Sequence, residues 1–106
     1  MPKHERALIA LQDDFLKVID GYVLKFNIKR DELWALAKIS EEVGEMTQAH
    51  LRLTGRARTH ETPADLHQKL ADEVADVLGM LLIYAKSQNI DLGAAVDRKW
   101  LAYLPE

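Results

Sequence analysis

The chain contains no cysteine, which excludes disulfides, thiolate zinc sites and a cysteine nucleophile. Glycine and proline are scarce, five and three in 106 residues, so few positions force a helix to stop. There is no basic surplus: 14 Lys and Arg stand against 17 Asp and Glu, a formal net charge of −3. Nothing in that balance favours a nucleic-acid partner. No apolar run is long enough for a membrane span or an amino-terminal signal segment, so a cytoplasmic protein without a membrane partner is expected. What remains is 48% hydrophobic and rich in Ala, Leu, Glu and Lys. That composition predicts a single all-α domain over residues 1–106.

Periodicity and punctuation predict four helices. From about Glu5 to Leu24, the residues Leu8, Leu11, Phe15, Ile19 and Tyr22 recur at three- and four-residue steps on one face. Asn27 to Arg30 reads as a connection, and Asp31 as the N-cap of a second helix that ends at about Leu53, before Gly55. The loop from Gly55 to Thr62 carries Arg56, Arg58 and His60. Thr62-Pro63-Ala64-Asp65 opens a third helix that runs to about Ser87: Thr caps, Pro takes the first helical position, and Asp sits three residues after the cap. Asn89 breaks it, and Asp91 caps a short fourth helix with Val96, Trp100 and Tyr103 on its packing side.

The two central helices carry acids where solvated acids are out of place. Glu42 and Glu45 are at i, i+3 spacing with Glu41 alongside, and Glu73 and Asp76 repeat the spacing on the next helix. Glu42 shares its sector with Ile39, Met46, Ala49 and Leu53, and Glu73 with Leu66, Val77, Met80 and Tyr84. Glu45 lies ten residues before Gly55 and Glu73 ten residues after Pro63. Antiparallel folding therefore brings both pairs to one level, roughly 15 Å from the turn at ~1.5 Å rise per residue. Acidic pairs on helices are commonly no more than a solvated face. Here the second pair, the matched height and the apolar setting favour a bound divalent cation. Two carboxylates about 6 Å apart repel by roughly 3 kcal/mol at an effective dielectric near 20, and a cation reverses the sign. An oxygen-only donor set selects Mg²⁺, with Mn²⁺ as its substitute.

Glu41-Glu42-Val43-Gly44-Glu45, 27 intervening residues and Glu73-Val74-Ala75-Asp76 resemble the EExxE…ExxD signature of the MazG-like all-α nucleoside triphosphate pyrophosphohydrolases. Lys38 and the apolar run from Val77 to Leu82 are also similar to that family. The resemblance covers about Leu33 to Tyr84 and implies a four-helix bundle with two long central antiparallel helices, completed by dimer or tetramer formation. It implies Mg²⁺-dependent cleavage of a nucleoside triphosphate into a monophosphate and pyrophosphate. Glu42, Glu45, Glu73 and Asp76 match its metal ligands, and Glu41 the acid that takes a proton from the attacking water. The last helix offers Arg98 and Lys99 but no clear version of the family's downstream Lys/Asn pattern.

Other residues carry two readings each. Lys38 contacts phosphate or neutralises a neighbouring acid; Trp34 stacks on a nucleobase or, more commonly, packs at an interface. Arg98 and Lys99 either close over the site or are solvated. His50 and His67 read as structural histidines rather than ligands, and Arg56, Arg58 and His60 meet phosphates or, more commonly, belong to a solvated loop. The third helix is apolar over more than half its circumference, which a chain of this length cannot cover alone, so a homo-oligomer is expected. Phosphoribosyl-ATP pyrophosphohydrolase is the rival enzyme, with the same metal logic. A helical interaction module with incidental surface acids is the rival outside enzymology. Di-iron bundles need Glu-x-x-His, and none of the four histidines has Glu three positions before it.

Overall fold

A computed structural model describes residues 4–105. Four α-helices and a terminal 3₁₀ turn follow in order: α1 Glu5–Phe26, α2 Trp34–Leu53, α3 Pro63–Ser87, α4 Leu92–Lys99, then Leu101–Tyr103. The expected all-helical fold is what the chain adopts.

Local chemistry accounts for most boundaries. Asn27 ends α1 in the left-handed region (φ 52°), and the Ile28 N–H then donates to Val23 O at 3.0 Å. Gly55 does the same for α2 with φ 76°, with the Arg56 N–H donating to Leu51 O at 2.8 Å. Thr62 caps α3, its hydroxyl accepting from Asp65 N at 3.2 Å, and Asp91 caps α4 by accepting from Ala94 N at 3.0 Å. Asp31 departs from expectation, because it is not the N-cap of α2. Its carboxylate accepts from Leu33 N at 3.0 Å and its carbonyl from Trp34 N at 3.3 Å. Asp31 thus stabilises a turn that precedes the helix, and α2 starts at Trp34.

Helices α2 and α3 form the antiparallel hairpin, and α1 lies across α3. Buried Ala35, Met80 and Ile83 make the core, with Phe15, Leu16, Ile19, Trp34, Ile39 and Tyr84 against it. The Gln12 side-chain amide donates to Leu82 O at 2.8 Å, fixing α1 to α3 beside a Leu82 that is 1% exposed. The Phe15 ring packs over Gly79, where even an added β-carbon would sit at an ordinary contact distance of 3.7 Å. Helix α4 is held against the start of α1, where a β-carbon on Gly93 would meet Glu5 Cγ at 2.9 Å.

The result is a thin slab of 48 × 46 × 20 Å with a radius of gyration of 16.4 Å. A compact chain of this length would have about 13 Å. Val74, Leu78 and Leu81 of α3 remain 44–49% exposed, a stripe at steps of four and three residues. Trp100 and Tyr103, expected to pack, are 73% and 81% exposed; α4 ends at Lys99, so both lie beyond the helix whose face they were to share. His50 and His67 are likewise exposed rather than structural. Among the described residues no helix is long and apolar enough to cross a membrane.

Candidate functional site

The hairpin brings together the acids that its spacing aligns. Oxygens of Glu42 from α2 and of Glu73 and Asp76 from α3 all lie within 4.8 Å of one another. Glu42 and Glu73 are half-buried, and each has one carboxylate oxygen, Oε2, sealed from solvent without a hydrogen-bond partner. Among the described residues none of these acids, nor Glu45, forms an ion pair. Glu45 is exposed and stands outside the tightest triad, yet near enough to act on both half-buried members.

Electrostatics follow from that crowding. Burial pushes the Glu42 carboxyl up from 4.5 to about 7, helped by the charges of Glu45, Asp76 and Glu73. Glu73 is raised too, by burial first and then by Glu45 and Asp76. Two unit charges at 4.8 Å repel by roughly 3 kcal/mol at an effective dielectric near 20. Sealed, unpaired carboxylate oxygens are costly to leave so. An all-oxygen donor set with two sealed oxygens, whose hydrogen-bonding neighbours are only other carboxyls, fits a hard divalent cation, and Glu42, Glu73 and Asp76 would hold it, with Glu45 beside them.

Two clefts flank the cluster. One, of about 360 Å³, lies where α1, α2 and α3 meet; Glu42, Asp76 and Lys38 edge it, and Phe15, Tyr22 and Trp34 supply aromatic walls. The other, of about 370 Å³, opens towards the hairpin turn between Glu45, Gln48 and Arg52 of α2 and Lys69 and Glu73 of α3. The cluster is their shared boundary.

Of the residues singled out from the sequence, Trp34 and Lys38 join Glu42 and Asp76 at one cleft. Lys38 Nζ is 3.3 Å from Glu41, which is exposed, lines neither cleft and is not among the converging oxygens. The Arg30 guanidinium lies 6.0 Å from the Trp34 ring centroid. Arg98 and Lys99 sit on α4, which is docked on α1, and line neither cleft. Arg56, Arg58 and His60 are exposed in the loop. The sequence places Phe15 and Tyr22 only on one face of the first helix and gives no sign that they wall a cleft. Sequence reasoning missed Arg52 and Lys69, although Arg52 follows Glu45 by seven residues and Lys69 precedes Glu73 by four, both same-face spacings. No protein-family model matches this chain, and comparison with curated proteins and with solved structures finds no match.

Proposed function

We propose that the protein is a Mg²⁺-dependent nucleoside triphosphate pyrophosphohydrolase, splitting a (d)NTP into a (d)NMP and pyrophosphate by attack of water. One observation carries this reading: carboxylates from two helices converge within 4.8 Å while two of their oxygens are buried and unpartnered. The spacing Glu41-Glu42-x-x-Glu45…Glu73-x-x-Asp76 that resembles the MazG-like signature supports it. When bound, the cation neutralises charge that builds on the phosphate oxygens and on the departing pyrophosphate.

The remaining work belongs to side chains. Glu41, exposed and next in sequence to Glu42, accepts the proton of the attacking water, and Lys38 at 3.3 Å orients its carboxylate. Trp34, with Tyr22 and Phe15, offers flat apolar surface to a base on the α1 side. No covalent nucleophile is needed. A homo-oligomer fits the same reading, because the Val74–Leu78–Leu81 stripe and the thin shape leave α3 half covered.

The deciding experiment measures pyrophosphate release from canonical and modified NTPs and dNTPs, with phosphoribosyl-ATP in parallel, in Mg²⁺ and in chelator. Cation-dependent release from a (d)NTP is expected. No release from any nucleotide, together with no calorimetric uptake of Mg²⁺ or Mn²⁺ in the presence of nucleotide, refutes the assignment.

A further inference from the structure

We infer that Arg52 heads an anion subsite on the hairpin side of the carboxylate cluster, and that it takes the terminal phosphates of a polyphosphate chain. The inference rests on the cation-binding reading above and adds to it the direction in which a substrate lies.

Arg52 is half-buried in the last turn of α2, in the cleft of about 370 Å³ that Glu45 and Glu73 share with the cluster. Three carboxylates, Glu45, Asp72 and Glu73, line that cleft with it. Among the described residues Arg52 nevertheless forms no ion pair. Lys69, the other cation in the cleft, is held 2.7 Å from Glu61 in the loop.

Helix direction explains the contrast. Side chains lean towards the amino end of their own helix. Helix α2 runs towards the turn, so Arg52 leans back over Gln48 towards Glu45. Helix α3 runs away from the turn, so Lys69 leans outward to the loop, where Glu61 meets it. Helix direction thus favours the cluster side for Arg52, which has no ion-pair partner among the described residues, and the loop side for Lys69, which Glu61 holds. A guanidinium presents a planar fork that matches phosphate oxygens, and Gln48 adds amide donors one turn nearer the acids.

Charge sets a condition. Three carboxylates against two cations leave the lining net negative, which repels an anion. A divalent ion held by Glu42, Glu73 and Asp76 offsets two of the carboxylate charges there and weakens that repulsion. The opposite cleft is walled by Phe15, Tyr22 and Trp34, and its one lysine, Lys38, is paired with Glu41, which suits a base better than a phosphate. The phosphate chain therefore runs from the aromatic side, past the carboxylates, towards the turn.

The test is calorimetric titration of inorganic tripolyphosphate into wild type, Arg52→Gln and Arg52→Lys, each with and without Mg²⁺, with circular dichroism to establish that the variants fold. Wild type should take up tripolyphosphate only with Mg²⁺. Arg52→Gln should bind it about ten- to hundredfold more weakly, the loss expected for a charged hydrogen-bonding partner. Arg52→Lys should fall between, keeping the charge without the fork, and Mg²⁺ uptake alone should not weaken in either variant. Equal tripolyphosphate affinity in wild type and Arg52→Gln overturns the subsite while Mg²⁺ uptake and turnover leave the hydrolase reading standing. Failure of wild type to take up either Mg²⁺ or tripolyphosphate overturns both.

Discussion

Replacing Glu42 by Gln should make the metal-free protein more stable at slightly alkaline pH, an unusual outcome for a substitution at a candidate active site. The Glu42 carboxyl titrates near 4.5 in an unfolded chain and is raised to about 7 in the fold, through burial and then the charges of Glu45, Asp76 and Glu73. A carboxyl raised in this way keeps its proton longer in the native state than in the unfolded state. The native state is therefore favoured at low pH, and stability falls as pH rises from about 4.5 through about 7. The gap corresponds to roughly 3 kcal/mol before solvent is considered. Glu45 and Asp76 are exposed, and screening there reduces the effect to about 1–2 kcal/mol. Glutamine keeps the shape and removes the charge. Urea unfolding followed by circular dichroism, at one fixed protein concentration and in chelator, should place Glu42→Gln about 1–2 kcal/mol above wild type at pH 8 and level with it near pH 4.5. Mg²⁺ at a hundredfold excess over its dissociation constant should then raise wild type by about 2.7 kcal/mol and the variant by much less. A Glu42→Gln protein less stable than wild type at pH 8 in chelator would show that the carboxylates are not mutually strained, and the reasoning would fail.

Three further outcomes are expected. Glu41→Gln should lower turnover by about 10²–10⁴-fold in the pyrophosphate assay while Mg²⁺ uptake stays intact; loss of uptake instead would make Glu41 a ligand. Leu78→Asp, in the middle of the exposed α3 stripe, should shift the species seen by light scattering to the 12.1 kDa single chain, and a wild type already monomeric at micromolar concentration removes the oligomer. Gly93→Ala places a methyl 2.9 Å from Glu5 Cγ and 3.0 Å from its Cα. It should cost about 1–3 kcal/mol as α4 lifts from α1, read as earlier exchange of α4 amides; unchanged exchange contradicts the close approach.

What could be read from the sequence was what neighbouring residues decide. The Thr62-Pro63-Ala64-Asp65 start and the Asn89 break depend on bonds within a few residues, and both stand where the spacing places them. The convergence of Glu42, Glu73 and Asp76 was legible because two rigid helices and one short turn fix their height. Asp31 was misread because its carboxylate has two local uses, capping a helix or closing a turn, and the chain takes the second. The aromatic cleft was not legible at all. It exists only once Phe15 of α1 settles over Gly79 of α3, a contact between residues 64 positions apart. The position of Arg98 and Lys99 was hidden for a similar reason, since the fit of Gly93 on Glu5 decides where α4 docks.

A plate only 20 Å through is barely two helix diameters deep, so most side chains that miss one neighbour end on an outer plane. Where copies pack across those planes, as the proposed homo-oligomer requires, changes there act like changes in an interior, with their cost appearing in how copies adhere and not in how one copy holds together. Variants selected for solubility by polar replacement of such positions would be expected to lose function first, while still giving the helical spectrum of an intact fold.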